Sequence, residues 1–299
     1  MRADRFASVY VIGPARRLVA PRSDRRIPIL MYHSISKPSG GKVHPYFETN
    51  TSPETFELQM KYLHDMGYST VSPGDVVSHL NSEPMAVNKK VVITFDDGFQ
   101  DFYTQAFPVL QKYGLNATVY LPTAFIDTGT KLFLGKSCLT WPEVRELHKM
   151  GVVFGSHTVT HPTLKFMSET DLEHEVCASK ETIEDELGVS IDSFAYPYAF
   201  PEHDAAFAHR LRDLLKSAGY NSGVSTVIGS NQTLEERFFL RRLPVNSWDD
   251  IKLFRAKLNG DYDWLRTFQY LKKLMKRTTL ERHQASYVAD RRKSVEAGH

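Results

Sequence analysis

The chain has 299 residues, 41% of them hydrophobic, which is enough to bury one sizeable core without a second domain. A formal net charge of +2 gives no case for a nucleic-acid binder, and two cysteines far apart, Cys138 and Cys177, exclude a disulfide framework and a zinc-knuckle spacing. No stretch approaches the length of a membrane span, and the apolar run from Ser8 to Ile12 is broken by Gly13-Pro14 and followed by Arg16-Arg17, unlike a secretory signal. If Met1 is the natural start, the expected location is the cytoplasm, including the inner membrane face.

Residues 1–26 read as a basic N-terminal extension, with Arg2, Arg5, Arg16, Arg17, Arg22, Arg25 and Arg26. Leu30 to His33 is predicted to be a strand. Ser52-Pro53 opens a helix with Phe56, Met60 and Leu63 on one face and Gly67 as its stop. Val91 to Phe95 and Ala117 to Leu121 are the next strands, separated by an apolar-faced segment from Gln100 to Tyr113. Thr140-Trp141-Pro142-Glu143 has the form of a capping box, starting a helix that carries Val144 and Leu147 and ends at Gly151. The apolar run Val152 to Phe154 leads into a histidine cluster. Ser168 and Asp171 open another helix, with Leu172, Val176, Ile183 and Leu187, closed by Gly188. Strands near Phe194, Gly223 to Val227 and Leu240 to Val245 follow, with a helix around Leu211 to Ala218. Strands that alternate with helices imply a parallel, βα-built sheet.

Residues 261–299 read as a C-terminal helix and basic tail. Trp264, Phe268, Leu271 and Met275 lie on one side, with Lys272, Lys273 and Lys276 elsewhere. Two readings stand for that helix: docking on an anionic membrane surface, or packing on the main domain with a solvated basic face.

Two clusters carry chemistry. Val91-Val92-Ile93-Thr94-Phe95-Asp96-Asp97-Gly98 is an apolar strand ending in two adjacent carboxylates. Side chains alternate along a strand, so the two acids can be given different environments, one to bind a metal and one to take a proton. Gly155-Ser156-His157-Thr158-Val159-Thr160-His161-Pro162 offers two imidazoles four residues apart, able to reach one ion on a loop or short turn that Pro162 ends. Asp97, His157 and His161 would form a two-histidine, one-carboxylate site, which suits zinc and also non-haem Fe(II). The metalloprotease form is disfavoured, because Thr158 stands where its Glu belongs.

Over residues 27–260 the chain resembles the polysaccharide deacetylase superfamily, carbohydrate esterase family four. Thr94-Phe95-Asp96-Asp97-Gly98 resembles its first motif, His157 and His161 its second, and Phe194-Ala195-Tyr196-Pro197-Tyr198 its third. The resemblance implies a distorted (β/α) barrel of about seven parallel strands. It also implies that Asp96 is the general base, that Asp97, His157 and His161 hold the metal, and that the Tyr198 backbone N–H serves the oxyanion. Pro197, Tyr198 and Trp248 would line the substrate groove.

Two features depart from the family pattern. The third motif commonly carries an Arg that orients the catalytic Asp, and Ala195 or its neighbours occupy that place, so Asp96 must be held by something else. The late Leu-x-His motif that supplies a general acid is missing. Pro28-Ile29-Leu30-Met31-Tyr32-His33-Ser34 instead resembles the early strand of the permuted branch, the poly-N-acetylglucosamine deacetylases, which makes His33 the candidate acid. The expected activity is metal-dependent removal of N-acetyl groups from an N-acetylated sugar, polysaccharide or glycan precursor, with a divalent ion, zinc first, as cofactor. An O-acetyl esterase and a small cyclic amide hydrolase are the enzymatic alternatives, and a non-catalytic carbohydrate-binding protein is the alternative of another class.

Overall fold

Seven parallel strands close on themselves: β1 (Ile29–Tyr32), β2 (Lys90–Phe95), β3 (Thr118–Leu121), β4 (Val153–Ser156), β5 (Ser193–Ala195), β6 (Ser222–Ile228) and β7 (Leu240–Pro244). The computed structural model describes residues 2–19, 26–37, 48–81, 89–231 and 234–273. Neighbours around the barrel run β1-β7-β6-β5-β4-β3-β2, and β1 pairs back onto β2, with Ile29 opposite Val92 and Tyr32 opposite Phe95. This is the expected α/β barrel. Its distortion lies between β6 and β7, where Val224 faces Leu240 but Ile228 faces Arg242, so the register shifts along the pair.

Alternation along the strands divides the apolar residues into two cores. Ile29, Val92, Tyr120, Ala195, Val224 and Leu240 pack together with Val76 from the helix Pro73–Asn81, filling the barrel interior at its N-terminal end. That helix had no counterpart among the expected elements. Gly155 of β4 has no side chain for a packing reason: a Cβ there would stand 2.6 Å from the Tyr120 ring. Residues of opposite parity, among them Leu30, Tyr32, Ile93, Phe95, Val119 and Leu121, face the surrounding helices and meet Phe56, Met60 and Leu63.

Local signals set the helices. Ser52 caps Pro53–Asp65 by accepting from the Thr55 N–H, and Phe56, Met60 and Leu63 are buried as expected. Thr140 and Glu143 make the reciprocal capping box of Trp141–Lys149. Ser168 caps Glu169–Leu187, which ends at Gly188. The segment expected to be apolar-faced, Gln100 to Tyr113, is helical from Phe102 to Lys112. Ala205–Ser217 covers the predicted helix before β6.

The N-terminal region is docked on the barrel as a series of helical turns from Ala3 to Val19. Arg2 pairs with Asp4 and Asp249, Arg5 pairs with Asp250, and Tyr262 donates to Asp4. Trp264 Nε1 donates to Ser8 Oγ at 2.9 Å. The C-terminal helix is described from residue 265 to 273; Met275, Lys276 and the rest of the basic tail lie outside the described residues. In the described part Lys273 turns inward, donating to Phe200 O at 2.9 Å and pairing with Glu202, as the packed-helix reading has it, and nothing among the described residues supports the membrane-docking reading. No helix among them is long and apolar enough to cross a membrane.

Candidate active site

The chemistry-bearing residues collect at the C-terminal ends of the strands, where parallel barrels expose their loops. Asp96 and Asp97 follow β2, His157 follows β4, Tyr198 lies beyond β5, and His33 directly follows β1. The chain turns sharply after β2, with Asp97 and Gly98 both at positive φ. At Gly98 an added Cβ would meet Leu121 Cδ2 at 3.0 Å and Ile126 Cδ1 at 3.2 Å, so the turn closes tightly on the barrel rim.

Asp97 Oδ1 lies 3.5 Å from His157 Nε2 and 3.3 Å from His161 Nε2. The donor atoms of these three residues all fall within 4.8 Å of one another, and all three side chains are buried. His157 Nδ1 sits 2.8 Å from the Ala195 carbonyl, which fixes the ring and leaves Nε2 facing Asp97. Burial alone would raise the Asp97 carboxyl, but bonding to the two imidazoles outweighs it and holds the group well below the usual carboxylate range. Burial pushes the His161 imidazole below its ordinary value, which favours the neutral form a ligand needs. Two nitrogens and one carboxylate oxygen, buried and convergent, fit a zinc-type divalent ion.

The loop bearing the histidines is held from below by a residue that sequence reasoning missed. Glu175, buried on the helix Glu169–Leu187, accepts from the Val159 and Thr160 N–H groups at 2.8 and 2.9 Å and from Thr160 Oγ1 at 2.6 Å. Thr158 Oγ1 accepts from the His161 N–H, and both residues adopt positive φ. These bonds stabilise a backbone that a non-glycine chain rarely adopts. The available signal was an acid beside Leu172, Val176 and Ser179 on the buried helix face.

Arg242 is the second residue that was missed, and it fills the place left open by Ala195. It comes from β7, its side chain has no exposed surface, and its guanidinium grips Asp96 with both ends, Nη1 to Oδ1 at 2.6 Å and Nη2 to Oδ2 at 2.7 Å. Nε donates to Ser225 O and Nη1 to Thr94 Oγ1, which locks the fork in one orientation. Burial alone would raise the Asp96 carboxyl; the Arg242 charge and, after it, the imidazoles hold it below its ordinary value. The signal was present in Leu240-Arg241-Arg242-Leu243-Pro244, because one arginine of such a pair must face the barrel interior.

His33 is 20% exposed, with Nε2 at 4.0 Å from Asp96 Oδ2, so it stands at the site's open side beside the Arg242-bound carboxylate. Tyr198 has positive φ, and its ring centroid lies 4.5 Å from that of His161. Thr226 Oγ1 donates to Tyr198 O and accepts from the Phe200 N–H, bracing that conformation. Pro197 is buried under the loop, while Tyr198 is 51% exposed at the surface. Trp248 is 52% exposed in the turn before Ile251–Leu258 and fills no core. Phe133 closes another side, edge-on to His161 at 5.0 Å.

Comparison with known proteins agrees with this geometry. Residues 85–223 match the polysaccharide deacetylase family model. The Bacillus subtilis protein YxkH, provisionally named a polysaccharide deacetylase, is 30% identical over 226 residues, covering 74% of this chain and 72% of its own length. A Staphylococcus aureus poly-beta-1,6-N-acetyl-D-glucosamine N-deacetylase is 26% identical over 215 residues, covering 66% of this chain and 70% of that protein. The Streptococcus pyogenes deacetylase PplD, solved with acetate, superposes with a TM-score of 0.67 at 26% identity, over 78% of this chain and 98% of PplD. Strand-end acids, clustered histidines and closed barrel thus stand together in a chain that belongs to the polysaccharide deacetylase family, hydrolytic enzymes acting on carbon–nitrogen bonds.

Proposed function

We propose that this protein is a metal-dependent hydrolase that removes N-acetyl groups from an N-acetylated sugar, polysaccharide or glycan precursor. The observation that carries this reading is the convergence of Asp97, His157 and His161 beside a second carboxylate, Asp96, that is held ionised by Arg242. A divalent ion bound by the three ligands, zinc by its donor set, supplies Lewis-acid polarisation of a carbonyl and a lower pKa for water.

The chain's own residues supply the rest. Asp96 accepts the proton of the attacking water, a role that needs its carboxylate ionised and fixed, which the Arg242 fork provides. The Tyr198 backbone N–H is assigned to the developing oxyanion. His33, at the open edge and 4.0 Å from Asp96, delivers a proton to the departing sugar amine. Pro197 shapes the loop from beneath, while Tyr198 and Trp248 offer exposed aromatic faces to sugar rings. Residues 27–260 form the proposed catalytic domain.

Arg242 also weakens the case for a non-catalytic carbohydrate-binding protein, since it gives Asp96 the arginine that the third motif lacks. The test is acetate release by the zinc-loaded protein from N-acetylglucosamine oligomers and from an O-acetylated xylan, with and without chelator. Chelator-sensitive release from the oligomers supports the proposal; release from the xylan alone makes the protein an O-acetyl esterase. Asp97→Ala should abolish both bound zinc and release, and full zinc content in that variant would remove the proposed site.

A further inference from the structure

Trp248 stands on the short loop between β7 and the helix Ile251–Leu258, at the C-terminal end of the barrel strands, with half of its surface exposed. A large aromatic face binds well only if its loop is held still, since ordering it at the moment of binding costs free energy. One side of this loop is fixed by residues that come after β1. The Ser247 N–H and Oγ each donate to Asn50 O at 3.1 Å, Asn246 Nδ2 donates to Glu48 O at 3.0 Å, and Ser247 Oγ accepts from the Ser52 N–H at 2.8 Å.

The other side is fixed by the N-terminal segment, which the proposed hydrolysis does not use. Asp249 and Asp250 each divide their two oxygens between the loop and that segment. Asp249 Oδ2 accepts from the Asn246 N–H and from Lys257 Nζ, while Oδ1 meets Arg2 Nη1 at 3.4 Å. Asp250 Oδ1 caps the next helix through the Leu253 N–H, while Oδ2 accepts from Arg5 Nε at 3.1 Å and Nη2 at 2.5 Å. Without the arginines, two adjacent carboxylates would repel each other directly after Trp248. The segment has fastenings of its own elsewhere: Trp264 donates to Ser8, Tyr262 to Asp4, and Arg16 Nη1 to Gly260 O. Arg2 and Arg5 are thus additional to docking, and both reach the two residues that follow Trp248.

We propose that Arg2 and Arg5 are positioning residues, through which the N-terminal segment fixes Trp248 for a carbohydrate chain. They act through Trp248 and touch no substrate, so they set affinity and leave the chemical step alone. This inference rests on the deacetylase reading of the site and on the assignment of Trp248 to its groove.

The test is a double-mutant cycle on the full-length, zinc-loaded protein, with Arg2→Met/Arg5→Met, Trp248→Ala and all three combined. Acetate release from the N-acetylglucosamine pentamer gives KM and kcat, and calorimetry gives the pentamer Kd. The arginine pair should raise KM and Kd about fivefold at unchanged kcat and zinc content, and should raise neither further in the Trp248→Ala background. Arg5→Met alone, which releases only the half-exposed Asp250, should show the same pattern if the pair folds poorly. Release with the same KM in wild type and arginine variants, or a rise of equal size with and without Trp248, overturns the positioning role and leaves the deacetylase reading standing. Pentamer binding that shows the coupling without any release keeps the positioning role and overturns deacetylation. Neither binding nor release overturns both.

Discussion

Two buried charge networks serve different ends in this molecule. Inside the barrel, Arg242 grips Asp96 at the reactive centre. Outside it, Lys257, 2% exposed, pairs with Asp249, and Arg2 and Asp4 extend the cluster to the N-terminal helical segment. The Lys257 ammonium is pushed below its ordinary value by burial, which Asp249 only partly opposes. Ion pairs this deep gain little net stability over apolar packing. At Asp96 a fixed carboxylate suits the proposed proton transfer; at Asp249 it fastens one segment of chain to another. The same physics therefore serves the proposed base in one place and a clamp in the other.

That contrast can be broken by separating activity from stability. The largest effect is expected for Asp96→Asn, which keeps the shape of the Arg242 contact but cannot take a proton. Acetate release should fall by about 10²–10⁴-fold at wild-type zinc content, while the Arg242 guanidinium, left buried without its counter-charge, lowers the melting temperature as well. Release near the wild-type rate at full zinc content would remove Asp96 as the base.

Arg242→Met should damage both properties, because it leaves Asp96 buried without its partner. Chemical denaturation should show a loss of about 3–5 kcal/mol, and release should drop in the same preparation. An unchanged kcat would show that Arg242 supports the barrel alone. In the clamp, Asp249→Asn strands the Lys257 ammonium and should cost stability on a similar scale, read by the same denaturation, while kcat stays near wild type. A large fall in kcat there would join the two networks into one functional unit.

The smallest effect concerns pH. Burial alone would raise the Asp4 carboxyl, but its bonds with Arg2 and Tyr262 outweigh that and lower it. A carboxyl depressed in the folded state contributes stability that is present above its unfolded value, near 4, and is lost as pH falls through the folded value. Asp4→Asn should therefore lower the melting temperature slightly at pH 7, with a difference that shrinks as pH falls below about 4. A difference that grew on acidification would reverse the sign assigned to this pair.

Much of the fold was legible because its signals are local. Capping at Ser52, Thr140 and Ser168 depends on residues three apart, and each of those helices begins where its cap predicts. The helix Pro73–Asn81 was not legible: it is short, and its apolar residues meet the barrel floor, a partner that exists only once the strands have closed. The hairpin Leu132–Phe133/Lys136–Ser137 is similar, with two residues per strand and little pattern to detect.

For the site the division falls elsewhere. The residue types and spacing of Asp96, Asp97, His157 and His161 marked the chemistry, because two acids at the end of an apolar strand and two imidazoles four residues apart are readable without knowing how the strands pair. The sequence by itself also determined the βα alternation and the N-caps, since both follow from periodicity and near-neighbour hydrogen bonding. Only the tertiary structure decided that Arg242, 146 residues beyond Asp96, is its partner, and that Glu175 holds the histidine loop. Closing the barrel brings β7 beside β1 and, across the interior, the Arg242 guanidinium to the Asp96 carboxylate. No local pattern encodes a contact that arises only when the first and last strands of a sheet meet.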